Sequence, residues 1–123
     1  MIVAEDLRVA AGAAVHFIEA DELPLLDHRF TRGEIRGAAS REELLAGIAE
    51  ALAFPDYFGG NWDAVEECLL ELPSENAVVL IVRGARRLWS ELPEECGHLV
   101  ETWLGVAEER SRRDGGLHLV FVW

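Results

Sequence analysis

The stretch Phe54-Pro-Asp-Tyr-Phe-Gly-Gly-Asn-Trp-Asp-Ala-Val-Glu-Glu-Cys-Leu69 contains a loop, the start of a helix and the chemistry of that helix's outer side. Pro55 to Gly60 reads as a loop, because proline and paired glycines punctuate regular structure. Asn61 is a suitable N-cap, with a side-chain oxygen able to accept from a free amide of the first turn. The helix that follows covers about 62–72. Val65, Cys68, Leu69 and Leu72 form its buried stripe, and Pro73 stops it.

The opposite side of this helix carries Asp63, Glu66, Glu67 and Glu71. Residues three and four apart are neighbours on a helix, so Asp63–Glu66, Asp63–Glu67 and Glu67–Glu71 are like-charge pairs. Each costs roughly 0.2–0.5 kcal/mol when exposed. The helix dipole offsets Asp63 but not Glu71, which lies near the negative end. No arginine or lysine on the helix relieves the strip. A row of carboxylates beside a Tyr/Phe/Trp/Gly loop suits a cleft rich in basic side chains, where charge-assisted hydrogen bonds and a stacked tyrosine supply affinity.

Working outward, Ser40-Arg-Glu-Glu43 matches the S-x-x-E capping box. Leu44, Ile48, Ala51 and Leu52 follow at helical spacing, so a first helix is expected to run to about Phe54, ended by Pro55. Beyond the central stretch, Ala77–Val82 is apolar on both faces and rich in valine, as in a strand buried on both sides. A short helix is expected near Ala85–Leu92 and a longer one over 93–114. In the longer helix Pro93, Glu94 and Glu95 suit the first turn. Leu99, Val100, Trp103, Leu104, Val106 and Ala107 form its buried side. Arg110, Arg112 and Arg113 sit in the last turn, where a local ion pair with Arg112 and Arg113 is one of two readings of Glu109, and Gly115 closes the helix. The last strand is Leu117–Val122. Upstream, Ala14–Ile18 and His28–Ile35 read as strands, with Asp21–Asp27 as a connection. Strand–helix–helix–strand order requires a crossover to a parallel neighbour, so the expected class is α/β.

The 123 residues fit one domain, with residues 1–39 as an N-terminal strand region and 40–122 as the core. The net charge of −12 repels phosphate backbones and attracts basic partners. All the lysine-or-arginine charge is arginine. No apolar run approaches membrane-spanning length, and Met1–Asp6 lacks the pattern of a signal peptide, so a cytoplasmic location is expected. Cys68 and Cys96 form no CxxC or zinc spacing and read as buried thiols. The histidines His16, His28, His98 and His118 are scattered along the chain, and His118 reads as a packed or surface residue. No nucleophile–base pair, phosphate loop or metal signature is visible. Asp63 and Glu67 are the one candidate acid/base pair, and both would sit on one exposed helix. No cofactor and no metal are expected.

The central stretch resembles the signature of the barstar family. Proline, an aromatic pair, Gly-x-Asn, x-Asp-Ala, an acidic residue and Cys-Leu follow in that spacing. The resemblance extends over roughly residues 40–122, loosely over 28–39, and leaves 1–27 unmatched. It implies a small two- or three-layer α/β fold, with a three- or four-stranded parallel sheet and about four helices. It also implies an intracellular inhibitor that is not an enzyme and that plugs the active site of a basic, secreted, barnase-type ribonuclease as a 1:1 complex of monomers. It implies no direct contact with nucleic acid or membrane. A barstar-like module for another basic protein is the alternative. The expected contact residues are Tyr57, Phe58, Gly59, Gly60, Asn61, Trp62, Asp63, Glu66, Glu67 and Glu109. By the resemblance Tyr57 stands at the interface tyrosine, Asp63 at the first interface aspartate and Glu67 at the main phosphate-mimicking aspartate. Glu109 stands at an acidic position before the last strand. Two departures bear on specificity. Glu67 replaces the usual aspartate, and Glu66 stands where the best-known member has a tryptophan. Cys96 does not match the family's later cysteine.

Overall fold

The structure, a computed structural model, describes residues 14–22, 30–73, 77–110 and 116–123. Its strands are β1 (Val15–Ile18), β2 (Phe30–Ile35), β3 (Ala77–Arg83) and β4 (Leu117–Val122). Its helices are α1 (Arg41–Ala51) and α2 (Trp62–Glu71), both between β2 and β3, then α3 (Ala85–Glu91) and α4 (Pro93–Arg110), both between β3 and β4. A single 3-10 turn, Ala20–Glu22, follows β1. All strands lie in one parallel sheet of order β1-β4-β3-β2. Phe30 to Ile35 face Ala77 to Val82, Val78 to Arg83 face Leu117 to Val122, and Val15 to Ile18 face Leu119 to Val122. The sheet thus has four strands, the larger of the two expected numbers. The central pair, β3 and β4, is buried on both faces, as their unbroken apolar runs require.

One apolar cluster joins Ile35, Val78, Leu80, Val82, Leu119 and Phe121 of the sheet to side chains from all four helices. Among the described residues the helices therefore form one layer on one sheet face. Ile18, Val79, Ile81, Val120 and Val122 make a second buried cluster on the other face. Helix α1 lies close against β2, and Gly33 permits it. A Cβ at Gly33 would stand 2.7 Å from the Ala51 carbonyl oxygen and 3.0 Å from a Leu52 methyl.

Helix α1 begins as the capping box anticipates, with one displacement. The Glu43 amide donates to Ser40 Oγ at 3.1 Å, but the Glu43 carboxylate accepts from the Ala39 amide at 2.6 Å, one residue before the cap. Its end corrects the sequence reading. The helix stops at Ala51, not near Phe54, and Pro55 does not stop it. Ala53 takes a left-handed φ of 53°. The Ala53 amide donates to Glu50 O and the Phe54 amide to Ala49 O, the two bonds of a Schellman motif. Pro55 only follows that stop.

The remaining ends move by a residue or two. Leu72 is the C-cap of α2, and Leu92 caps α3 while its carbonyl accepts from Cys96 in α4. The buried stripe of α4 is Cys96, Leu99, Trp103, Val106 and Arg110. Leu104, expected inside, is 46% exposed, because one residue past Trp103 is a 100° turn away from the core. The proposed continuation of α4 to 114, its Gly115 stop, and Arg112 and Arg113 lie outside the described residues.

Arg110 is fully buried. Its guanidinium donates to the Leu69 carbonyl at 2.9 Å and the Pro73 carbonyl at 3.1 Å. These oxygens lie in the last turn of α2 and just beyond it, where the dipole is negative; the Leu69 carbonyl also accepts from the Leu72 amide at 3.4 Å. The last turn of α4 is thus tied to the last turn of α2. No helix described is long and apolar enough to cross a membrane.

Candidate functional site

Helix α2 stands on its inner side. Val65 and Leu69 are fully buried and Cys68 nearly so. Burying a side chain of that size contributes about 1.5–3 kcal/mol. Two such anchors outweigh three like-charge pairs at roughly 0.2–0.5 kcal/mol each. The core therefore supports an outer face whose carboxylates repel one another.

Asn61 caps the helix as expected, its Oδ1 accepting from the Ala64 amide at 2.8 Å. Gly60 precedes it at φ 71°, a left-handed conformation that suits glycine. From Phe54 the loop runs back along α2. Tyr57 reaches the end of the helix, where its hydroxyl donates to Glu71, and Gly59 lies beside Ala64. Loop and helix enclose a shallow hollow of about 260 Å³, lined by Tyr57, Phe58, Gly59, Asn61, Asp63, Ala64, Glu67 and Cys68. Tyr57 is 70% exposed. Its hydrogen bond to Glu71, then partial desolvation and the negative charge of Glu71 and its neighbours, hold its phenol above the usual tyrosine value. Below it, burial pushes the Cys68 thiol up, helped by Glu71 and Glu67.

The expected contact residues divide into three sets. Tyr57, Phe58, Gly59, Asn61, Asp63 and Glu67 line the hollow. Glu66 and Glu109 face each other across a second groove of about 390 Å³ between α2 and α4, over Leu70, Gly105 and Val106. Trp62 and Gly60 line neither. Phe58 and Trp62 are half-buried and pack against the core. Phe58 meets Phe54 with ring centroids 5.3 Å apart. Trp62 donates its indole N–H to Glu95 Oε2 of α4 at 2.9 Å and stands edge-on to His98. Among the described residues, Asp63, Glu66, Glu67 and Glu109 have no ion-pair or hydrogen-bond partner for their carboxylates.

The groups that hold this loop were not marked in the sequence. Glu71 reads there as an uncompensated acid, and its bond to Tyr57 spans 14 residues of loop and helix. Glu95 reads as a first-turn dipole residue, and its bond to Trp62 joins two helices. No local period signals either contact.

The matching family model is Barstar (barnase inhibitor), over residues 28–122. The chain belongs to the barstar family. The match takes in β2, β3, β4 and all four helices, and it starts earlier than residue 40, where the sequence pattern becomes strong. Strand β1, the fourth of the sheet, precedes it. Barstar-family proteins are inhibitors and not enzymes, and membership implies inhibition of a barnase-type ribonuclease. Comparison with curated proteins gives no match.

The histidines are less scattered in space than along the chain. Parallel pairing of β1 with β4 places His16 Nε2 3.2 Å from His118 Nδ1, and His118 is buried. His98 lies beside Glu95, and His28 lies outside the described residues. Among the described residues no three His, Cys, Asp or Glu side chains are grouped as a metal would need. Both cysteines are buried free thiols. Burial, then Glu95, pushes Cys96 up to about 11.

Proposed function

We propose that the chain inhibits a basic, secreted, barnase-type ribonuclease by seating the 57–67 loop and helix in its active-site cleft. The observation that carries this reading is the hollow in which Tyr57, Asp63 and Glu67 converge, with neither carboxylate paired among the described residues and no cation on the helix. Asp63 and Glu67 take the place of substrate phosphates before the arginines and lysines of the cleft, and Tyr57 packs against its wall. Gly59, Gly60 and Asn61 let the backbone approach. Phe58 and Trp62 support the loop from beneath. Glu66 and Glu109 form a second acidic arm across the α2–α4 groove. The net charge of −12 speeds encounter with a basic enzyme and makes it sensitive to salt. The inhibitor acts as a monomer in the cytoplasm, in a 1:1 complex, before the enzyme is exported.

Co-expression with barnase-type ribonucleases tests this directly. The chain relieves their lethality, and Glu67→Ala abolishes relief while Glu71→Gln retains it. Glutamine is used at Glu71 because it still accepts from Tyr57. Equal loss from both variants would mean that the hollow is not the plug. Failure to relieve any such enzyme, with retained binding to another basic protein, would favour the other reading. Glu66 and Glu67, which depart from the usual family residues, are where such a change of partner would be expressed.

A further inference from the structure

The side chains around Trp62 lead beyond the contact face. Glu95, in the first turn of α4, has a carboxylate only 18% exposed. Its Oε2 accepts the Trp62 indole N–H at 2.9 Å, and lies 3.7 Å from Arg41 Nε and 3.9 Å from His98 Nδ1. Arg41 is the first residue of α1 and Trp62 the first of α2. Side chains from the first turns of three helices therefore meet at one carboxylate.

We propose that Glu95 is a positioning residue: through Trp62 it fixes where the start of α2 sits, and so where Asp63 and Glu67 are held. The inner stripe of Val65, Cys68 and Leu69 sets the depth of α2, and Arg110 ties its far end. At the near end, the Asn61 cap is local to the helix and does not fix it against the rest of the fold. The Trp62–Glu95 bond is the described hydrogen bond that does. Asp63 is the next residue and Glu67 one turn further. Carboxylates held in place before the partner arrives lose less freedom on binding. The inference rests on α2 being the contact face.

The test combines one readout that needs a partner with one that does not. In Glu95→Ala the Trp62 indole N–H resonance, assigned by its loss in Trp62→Phe, moves, and the amides of residues 62–66 exchange faster. Those near Arg110 keep their wild-type rates. Glu95→Gln retains the acceptor and restores both. With a barnase-type ribonuclease as probe, Glu95→Ala binds about tenfold more weakly, mainly through faster dissociation. Trp62→Phe gives the same loss, and the double variant loses no more than either alone. An unmoved indole resonance, Glu95→Gln behaving as Glu95→Ala, or additive losses in the double variant would each overturn the proposal. So would unchanged affinity with moved resonances. If the wild type fails to bind the probe, the ribonuclease reading falls by itself, and the resonance and exchange measurements still decide whether Glu95 holds α2.

Discussion

Helices α1 and α2 follow one another, are nearly equal in length and carry several carboxylates each, yet they place them in opposite ways. In α1, Glu42 and Glu43 lie in the first turn, where the dipole favours them, and Glu43 completes a cap. Glu50 is seven and eight residues further on, so no two acids of α1 are helical neighbours. In α2, Asp63, Glu66, Glu67 and Glu71 are stacked three and four residues apart, and only Glu71 has a described partner. Elsewhere Glu34 pairs with Arg83, Glu91 with Arg87, and Glu95 with Trp62. The difference identifies α2 as the helix on which negative charge is concentrated on one side, at a cost its buried side can bear.

The largest expected effect separates binding from folding. Glu67→Ala weakens binding to the ribonuclease at least a hundredfold, about 3 kcal/mol. This lies within the roughly 2–5 kcal/mol lost on truncating a buried interfacial charge pair, a range that draws on barnase with barstar itself. Urea denaturation of the same variant shows no loss of stability, because two like-charge contacts disappear. Glu50→Ala on α1 leaves binding unchanged. Should Glu50→Ala weaken binding as much, the two helices are equivalent and the comparison fails.

Arg110→Ala acts in the reverse sense. It leaves the Leu69 and Pro73 carbonyls short of a donor and opens space in the core, at a cost of about 3 kcal/mol in urea unfolding. Arg110→Lys keeps the charge but not the fork that reaches two oxygens, and recovers only part of the loss. If Arg110→Ala unfolds at the wild-type urea concentration, the far end of α2 is held by its apolar stripe alone.

Most of the fold was legible in the sequence because its signals are local. The valine run of β3, the Asn61 cap, the Ser40 box and the stripe of α4 each lie within one element. What was not legible depends on distance or on conformation. Strand β1 joins the sheet through β4, about a hundred residues later, and His16 meets His118 by that pairing alone. Arg110 reads as a cation at a helix end, and only packing shows it buried on the carbonyls of another helix. At the site, the acidic strip was legible from spacing. The inward direction of Trp62 and the Tyr57–Glu71 bond were not. A tryptophan in the first turn of a helix reads equally as anchor or support until its neighbour is known.

A smaller effect is expected where α1 ends. Ala53 at φ 53° bears the left-handed penalty of an L-residue, roughly 1–2 kcal/mol, which glycine avoids. Glycine's greater freedom in the unfolded chain returns about 0.4–1 kcal/mol of that gain. Ala53→Gly is therefore expected to raise unfolding stability by about 0.5–1 kcal/mol. The Schellman bonds from Ala53 and Phe54 fix the direction in which the loop leaves α1. A destabilised Ala53→Gly would show that Ala53 makes packing contacts worth more than its strain.

The smallest effect is a spectroscopic shift, and it tests the exception in the acidic strip. Tyr57 is the only tyrosine among the 123 residues, so tyrosinate absorbance near alkaline pH reports it alone. Its hydrogen bond to Glu71, followed by partial desolvation and the surrounding negative charge, raises its midpoint above the ordinary value of about 10. A group whose folded value is raised stabilises the fold fully below its unfolded value, and the contribution is lost as pH rises through the folded midpoint. The Tyr57–Glu71 contact therefore persists at neutral pH and opens only in alkali. Glu71→Gln removes the charge and weakens the bond, so the midpoint falls back toward 10, while Glu50→Gln on α1 leaves it in place. In complex with a basic ribonuclease the midpoint falls further than in Glu71→Gln, because cations of the cleft then surround the phenol. A midpoint near 10 in the free wild type, unmoved by Glu71→Gln, would place Tyr57 clear of Glu71 and leave all four carboxylates of α2 unpaired.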